Sequence, residues 1–341
     1  MLRLRPYKPC DAETIISWCR DELTFRRWTG DRYDKFPVTE VDINEKYIGN
    51  NGDCAEPDNF YPMTAFDENG TVGHFILRYT DEKKDVDYTV YTLENEYIYT
   101  KLLPEVGGKI LRAYDKVTDR DFIYYNEVIK PALVGIAGAW ISGGIEFNWP
   151  QHHRPTTFMP LEAAVEENAD GGKTVWMGEI DPLYGMKGMM GVTVDPGRSY
   201  IKAKIRIYNR TAEAKTFMWW ANMAFPANEN VKTVFPPDVE WVNDHDRRAV
   251  LSWPVAKGVY HTARPFNYGE GTDLSLCDSV KVPSSFLISQ GQSDMDFVSG
   301  YDMKEEQGFV TVANHHISPG KKMWHWGIGD FGDMWCDNLT D

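Results

Sequence analysis

The chain has 341 residues, 42% of them hydrophobic and 13% aromatic, so it is long and apolar enough to build real cores and is not a disordered chain. Its 36 basic and 51 acidic residues give a formal net charge of -15, which repels phosphate backbones and argues against nucleic acid as a partner. It contains no apolar run of about eighteen residues and does not open on a signal-type apolar stretch, so we expect a soluble, cytoplasmic protein without a membrane partner.

The first 84 residues alternate strand and helix signals. Leu2 and Leu4 predict a short strand, and Asp11 is placed to cap a following helix. A second helix is predicted over Thr39 to Ile48. The apolar face of the first helix recurs near the 3.6-residue period and consists of Ile15, Ile16, Trp18, Cys19 and Leu23.

Two strand-like runs follow, Tyr61 to Phe66 and Val72 to Tyr79, joined by the turn sequence Asp67-Glu68-Asn69-Gly70. The predicted order is therefore β-α-α-β-β, ending in a charged break around Asp85. This pattern resembles the N-terminal half of a GNAT acetyltransferase. That family holds the acetyl-CoA pyrophosphate on a glycine-rich turn that opens a helix. Here Asp85 to Val90 reads as a strand without glycine, so we expect an incomplete piece that does not bind acetyl-CoA.

Beyond residue 85 the helical periodicity nearly vanishes, and short alternating runs recur with turn residues between them. Strands at this density, without intervening helices, favour a large antiparallel β-sandwich. The runs are Tyr97 to Leu102, Lys109 to Tyr114, Lys173 to Ile180, Ile201 to Tyr208, Phe217 to Phe225, Ser285 to Ile288 and Phe309 to Val312. The run at Ile201 and the run at Phe217 are predicted to be long strands in central sheets.

Five stretches in this part resemble, in one order, a galactose-mutarotase-like β-supersandwich family, a domain of unknown function often fused to tetratricopeptide repeats. They are Leu103 to Ile110, Trp140 to Pro150, His153 to Thr157, Phe235 to Val239 and His315 to Lys322. The GNAT resemblance implies an incomplete acetyltransferase-like α/β piece at 1–84. The mutarotase-like resemblance implies a mainly β supersandwich at 85–341, incomplete at its C-terminus. It also implies further strands after Asp341, one of them carrying the general-base glutamate of sugar mutarotases, whose lack would impair catalysis.

The stretch from Trp140 to Arg154 suits a sugar, which needs flat apolar faces for its C–H surfaces and amides or carboxylates for its hydroxyls. Gly143 and Gly144 permit close backbone approach, and Glu146 and Asn148 share one face of a strand. We predict catalytic roles for Glu146, His153 and His316. The predicted substrate-binding residues are Asn148, Trp149, His152, Arg154, Asn222, Glu229, His245, His315, Lys321 and Trp324.

Three functions stay open at this point: a carbohydrate-active enzyme of epimerase or glycosidase type, a sugar-binding module without catalysis, and a GNAT-type acetyltransferase, which the absent glycine turn disfavours. A saccharide is the predicted partner, and no cofactor is indicated. A metal site built from the histidines with Glu146 or Glu229 is disfavoured because no ligand spacing such as H-E-x-x-H occurs. Five cysteines without a C-x-x-C pair indicate neither a disulfide framework nor a structural zinc site.

Overall fold

A computed structural model describes residues 3–29, 33, 35–49, 61–77, 84–134, 138–150, 153–154, 156–181, 184–245, 247–260, 266–288 and 291–329, together with 332, 336 and 339. The chain divides into two compact units, Met1–Asp87 and Tyr88–Asp341. Each unit is built around cores of its own.

The first unit is a three-stranded antiparallel sheet, in the order β1-β2-β3, accompanied by short helices. Its elements are β1 (Arg3–Pro6), a 3-10 turn (Pro9–Asp11), α1 (Ala12–Trp18), α2 (Glu22–Thr29), α3 (Glu40–Gly49), β2 (Tyr61–Asp67) and β3 (Gly70–Leu77). The predicted hairpin and the helix near Thr39 are confirmed. Within the described ranges, none of the helices combines the length and hydrophobicity that a membrane span requires.

The first predicted helix is interrupted. α1 ends at Trp18 because Cys19 leaves the helical region, and the Asp21 carboxylate then accepts a hydrogen bond from the Thr24 N–H at 2.7 Å, which caps a new helix. Asp11 does not cap α1 as predicted. Its buried carboxylate instead accepts hydrogen bonds from Arg5 at 2.6 Å and from the Thr64 hydroxyl at 2.9 Å, so it joins the start of α1 to the sheet.

The second unit consists mainly of strands that pair antiparallel. Its first strands are β4 (Tyr91–Glu94), β5 (Ile98–Leu103), β6 (Lys109–Asp115), β7 (Arg120–Asp121), β8 (Ala132–Val134), β9 (Gly138–Trp140), β10 (Ile145–Asn148), β11 (Glu162–Glu167), β12 (Lys173–Ile180), β13 (Met186–Val194), β14 (Ile201–Asn209) and β15 (Trp220–Met223). The later strands are β16 (Val231–Val234), β17 (Trp241–Asp244), β18 (Val250–Ser252), β19 (Val255–Ala256), β20 (Val259–Tyr260), β21 (Phe266–Asn267), β22 (Thr272–Asp273), β23 (Ser284–Ile288), β24 (Phe297–Asp302), β25 (Gln307–Val312) and β26 (Lys321–His325), with one 3-10 turn at Cys277–Ser279.

Two of these sheets enclose the largest core. One runs β15-β10-β6-β5-β4 and the other β11-β12-β13-β14. Alternate residues of both turn inward, among them Phe147 from β10, Met177 from β12 and Met190 from β13, all at most 2% exposed. The predicted mainly β, antiparallel sandwich is therefore confirmed.

A third sheet, β18-β17-β23-β26, packs on a second core, and its strand β26 has two distinct faces. Met323 and His325 are buried, and Met323 belongs to that core. Lys322 and Trp324 alternate with them and are more exposed. Because successive strand residues point to opposite sides, Lys322 and Trp324 share the face turned away from the second core.

Two sequence predictions are wrong in detail. Asp85 to Val90 is not a strand, since this charged stretch is exposed and pairs with no strand among the described residues. The run at Phe217 contains only the four residues of β15, because Phe217 and Met218 are exposed. The run at Ile201 forms the long strand β14, and both β14 and β15 belong to the two sheets that enclose the largest core, as predicted.

Candidate functional site

The register between β10 and β15 creates a polar patch on the face of their sheet opposite the large core. Glu146 lies directly opposite Asn222, and Asn148 lies opposite Trp220. Their neighbours Ile145 and Phe147 point into the core, so these four side chains project from the other face. We call Glu146, His153, Thr157, Trp220 and Asn222 the Glu146 cluster.

Glu146 is a buried carboxylate, 3% exposed, at the centre of this cluster. The Thr157 hydroxyl donates to it at 2.7 Å, the Asn222 amide approaches at 3.5 Å, and His153 Nδ1 lies 3.8 Å from its second oxygen. Burial acts to raise the pKa of Glu146, but the nearby His153 imidazole and the Thr157 hydrogen bond outweigh it and hold the pKa below its usual range. Glu146 is therefore an anion that polarises His153.

His153 forms the accessible side of the cluster. Its side chain is 17% exposed, and its ring meets the Trp220 indole edge to face at 4.8 Å. The Lys322 ammonium also lies near this indole, 5.6 Å from the centre of the Trp220 ring. An imidazole backed by a carboxylate, beside an indole and an amide, can exchange protons and hydrogen bonds with a ligand that contacts Trp220 and Asn222.

Lys109 is a functional candidate that sequence reasoning missed. It is 4% exposed, and its ammonium donates to the carbonyl oxygens of Ile141 at 2.7 Å and Ser142 at 3.2 Å. Burial lowers the pKa of Lys109 to about 8, although the negative charge of Glu146 opposes this effect. A lysine between the glycine pair Gly107-Gly108 and the apolar residues Ile110 and Leu111 is the sequence signal that could have identified it.

Three predicted binding residues lie beneath the cluster and are buried. Asn148 is fully buried and accepts the Arg154 backbone N–H at 2.8 Å. The Arg154 side chain, also fully buried, pairs with Glu179 at 2.7 Å and donates to the Gly107 carbonyl at 2.6 Å. Its guanidinium lies 4.2 Å from the centre of the Trp149 ring, which is 1% exposed. These residues fix the floor of the cluster, and their direct contact with a ligand stays a prediction.

The glycine pair before β10 serves packing. A Cβ at Gly144 would lie 2.1 Å from the Ile110 carbonyl oxygen, and one at Gly143 would lie 2.6 Å from Asn126 Cβ. Both glycines have positive φ angles, +82° and +66° along the chain. At this glycine pair the backbone therefore packs closely against β6 and Asn126 of the same chain.

A pocket of about 330 Å³ lies at one end of β26 and contains two more predicted residues. His245 Nδ1 lies 3.2 Å from the Ser285 hydroxyl, and Ser285 pairs in register with Trp324. Trp324 also meets Trp140 edge to face at 6.0 Å. We call this the Trp324 pocket, lined by His245, Arg248, Pro283, Ser284, Ser285 and Trp324.

The other predicted residues make their contacts elsewhere. His315 lies 2.8 Å from an Asp296 carboxylate oxygen, and its ring is 3.9 Å from that of His316. Lys321 is buried, and Glu229 is exposed and accepts a hydrogen bond from Asn230. His152 lies outside the described residues. The roles predicted for these side chains stay predictions.

Comparison with known proteins adds a family. The model of a family described as "Domain of unknown function (DUF5107)" matches residues 55–341. The match confirms the predicted assignment of the larger part to a domain of unknown function. It also begins inside the first unit and takes in the β2–β3 hairpin, while the resemblance of that unit to acetyltransferases stays a prediction.

Solved structures similar to this chain include two that differ in how well they match. One is a tetratricopeptide-domain-containing protein from Parabacteroides distasonis, with 20% identity and a TM-score of 0.62 over 82% of this chain. The chain spans 43% of the length of that protein, and at this identity the likeness concerns the fold alone. The other is a putative aldose 1-epimerase from Escherichia coli K12, with 12% identity and a TM-score of 0.38, covering 69% of this chain and 88% of that one.

Proposed function

Since this chain belongs to the DUF5107 family, whose description states no function, we propose from the site itself that the Glu146 cluster of the second unit binds a saccharide. The observation that carries the proposal is the side-by-side placement of a carboxylate–imidazole pair, an amide and an indole ring on one sheet face. Sugars present alternating hydroxyl groups and C–H surfaces, and these side chains complement both.

Within the cluster, the residues divide into a layer that contacts the ligand and a layer that supports it. His153, Asn222 and Trp220 are partly accessible, so they are the groups that we assign to ligand contact. Glu146 is almost fully buried and acts through His153 and Asn222. It is therefore a positioning residue, which orients the imidazole.

The test is calorimetric titration of the full chain with a panel of monosaccharides and their methyl glycosides. We expect at least one to bind, and we expect His153→Asn and Trp220→Leu each to weaken that binding about tenfold or more, because each removes a direct contact. Glu167→Gln, on the strongly exposed end of β11, is the matched control and should leave the Kd unchanged. Absence of binding across the panel, or a Kd that neither cluster variant changes, overturns the proposal.

A second candidate function, epimerase-type catalysis, is favoured by the 3.8 Å separation between His153 and Glu146. Anomer exchange requires a base that takes the proton of the anomeric hydroxyl and an acid that gives a proton to the ring oxygen, while the bond between C1 and the ring oxygen breaks. The open-chain aldehyde then turns about its C1–C2 bond and recloses with the proton transfers reversed. His153 can fill one of these roles when its charge is balanced by Glu146.

Exchange spectroscopy on the bound sugar distinguishes catalysis from binding alone. Catalysis predicts anomer exchange above the buffer rate, lost in His153→Asn and shifted along the pH axis in Glu146→Gln. Exchange at the buffer rate in a sample that binds the sugar refutes this second candidate and leaves saccharide binding intact.

A further inference from the structure

The Trp324 pocket and the Glu146 cluster lie along the same face of β26. Lys322 reaches the Trp220 ring of the cluster, whereas Trp324, two residues later, lines the pocket. Residues i and i+2 of a strand are about 7 Å apart and point the same way. The Lys322 side chain therefore extends toward the cluster from the same strand face that carries Trp324 of the pocket.

Two consecutive arginines in the loop after β17 have different surroundings. Arg247 pairs with the buried Asp244 carboxylate at 3.0 Å and lies over the Phe266 ring at 4.5 Å. Arg248 lines the pocket and is exposed. In the part of the chain that the structure describes, the Arg248 guanidinium has no carboxylate within ion-pair distance. One arginine thus holds the loop, and the other presents its charge to the pocket.

The backbone at Arg248 adopts an unusual conformation. Its φ angle is +57°, a region that residues other than glycine rarely occupy. The loop is held there because the Arg248 N–H donates to the Asp244 carbonyl at 2.9 Å and the His245 N–H donates to the Ser285 carbonyl at 2.9 Å. These bonds fix where the Arg248 side chain leaves the backbone, beside His245 and the Ser285 hydroxyl.

The chemistry of this pocket is that of an oxyanion site in a chain whose formal net charge is -15. A guanidinium offers planar paired donors that match carboxylate, sulfate and phosphate, and hydroxyl groups add further donors. Ser284 and Ser285 are buried and line the pocket; the Ser284 hydroxyl donates to the Val282 carbonyl at 3.0 Å, so the Ser285 hydroxyl beside His245 is the one assigned to the ligand. The Trp324 ring provides a flat wall, and the Lys322 ammonium adds positive charge on the side toward the cluster.

We infer that the Trp324 pocket binds the oxyanion group of an acidic saccharide whose ring lies at the Glu146 cluster, so that the ligand class is uronic acids or sugar sulfates and phosphates. The inference rests on the proposed saccharide binding and specifies its ligand. Arg248 is the main anion-binding residue, with Ser285 and His245 beside it and Lys322 between the two sites.

The experiment compares sugars that differ only at C6. Galactose, galacturonate and galactose 6-phosphate, and the corresponding glucose series, are titrated into the full chain, with inorganic phosphate and sulfate as separate probes. We expect an acidic member to bind at least about tenfold more tightly than its neutral partner, as for a charge-assisted hydrogen bond that forms in only one of two ligands. This advantage should shrink at high salt, because the pocket is open to solvent.

Arg248→Gln should reduce the advantage of the acidic sugar over its neutral partner, measured as the ratio of their Kd values, to about twofold or less. Arg210→Gln, an exposed arginine just after β14, is the matched control and should preserve the advantage. Both replaced side chains are exposed, so equal denaturation midpoints are expected for the two variants.

The outcomes separate the two proposals. Equal affinity for neutral and acidic sugars, or an advantage that survives Arg248→Gln, overturns the anionic subsite and leaves saccharide binding standing. Inorganic phosphate or sulfate that binds as tightly as the acidic sugars overturns the assignment of the pocket to a saccharide. Absence of binding by every sugar, neutral or acidic, overturns both proposals.

Discussion

Lys109→Met tests whether the buried ammonium beside Glu146 is as costly as its surroundings indicate. Methionine keeps an unbranched chain of similar length but removes the charge. It also leaves the carbonyl oxygens of Ile141 and Ser142 without the donor that reaches them at 2.7 and 3.2 Å. That loss is on the order of 1–3 kcal/mol and does not vary with pH. The informative quantity is therefore how the stability difference between the two proteins changes with pH.

The size of this change follows from the pKa of Lys109. Burial lowers it from 10.5 to about 8, so between these values the folded protein binds fewer protons than the unfolded chain. Stability then rises with pH through the window from about 8 to 10.5, and the full effect corresponds to about 3 kcal/mol. Below pH 8 the folded state bears the whole cost of the buried cation.

Denaturant unfolding at intervals from pH 7 to 10, followed by tryptophan fluorescence, measures this directly. Ten of the twelve tryptophans lie at residue 140 or beyond, so the signal reports mainly the second unit. We expect the wild-type protein to gain roughly 2–3 kcal/mol relative to Lys109→Met across this range. Other titrating groups are common to both proteins and cancel in the difference. Parallel stability curves for the two proteins would show that Lys109 keeps an ordinary pKa and would refute the reasoning.

Two further substitutions test the floor of the site. Gly188→Ala places a Cβ 2.1 Å from the Trp149 indole nitrogen. We expect the free energy of unfolding, measured with denaturant, to fall by about 1–3 kcal/mol or more. Gly320→Ala, whose Cβ would meet open space, is the control and should be nearly neutral. Glu179→Gln removes the carboxylate that pairs with the fully buried Arg154 guanidinium. We expect the free energy of unfolding to fall by about 3–5 kcal/mol in the same measurement. Glu167→Gln is the control. A loss below about 1 kcal/mol in either variant contradicts the packing or the ion pair, respectively.

The strands were predictable where apolar residues alternate along them and pack on a core. β12 runs over Lys173 to Ile180 as predicted, and in β14 the alternating Ile201, Ile205 and Ile207 pack on the large core. The interruption of the first helix was not predictable from periodicity, because the apolar spacing continues through Cys19 to Leu23. Capping by Asp21 and burial of Asp11 decide that boundary, and both depend on local and tertiary contacts.

The site was only partly accessible from sequence, for a related reason. Glu146 and Asn222 are 76 residues apart, yet strand register places them opposite each other, and no spacing rule predicts such a pair. Burial is equally hidden, because the sequence does not show that the Arg154 guanidinium is fully buried and paired with Glu179. Arg248 sits in a charged loop typical of solvated surfaces, and only the pocket around it sets it apart.

The place of β26 in the chain order decides when the region between the Glu146 cluster and the Trp324 pocket can be completed during synthesis. Lys322 and Trp324 belong to β26, the last strand among the described residues of the second unit. Lys322 contacts Trp220 of β15 and Trp324 contacts Trp140 of β9, and both of these partners are synthesised much earlier. These contacts are far apart in sequence, and none of them can form before both partners have been synthesised. A nascent chain can therefore assemble most of the β10–β15 sheet while still tethered to the ribosome, but the region between the Glu146 cluster and the Trp324 pocket closes only after residue 326 has emerged.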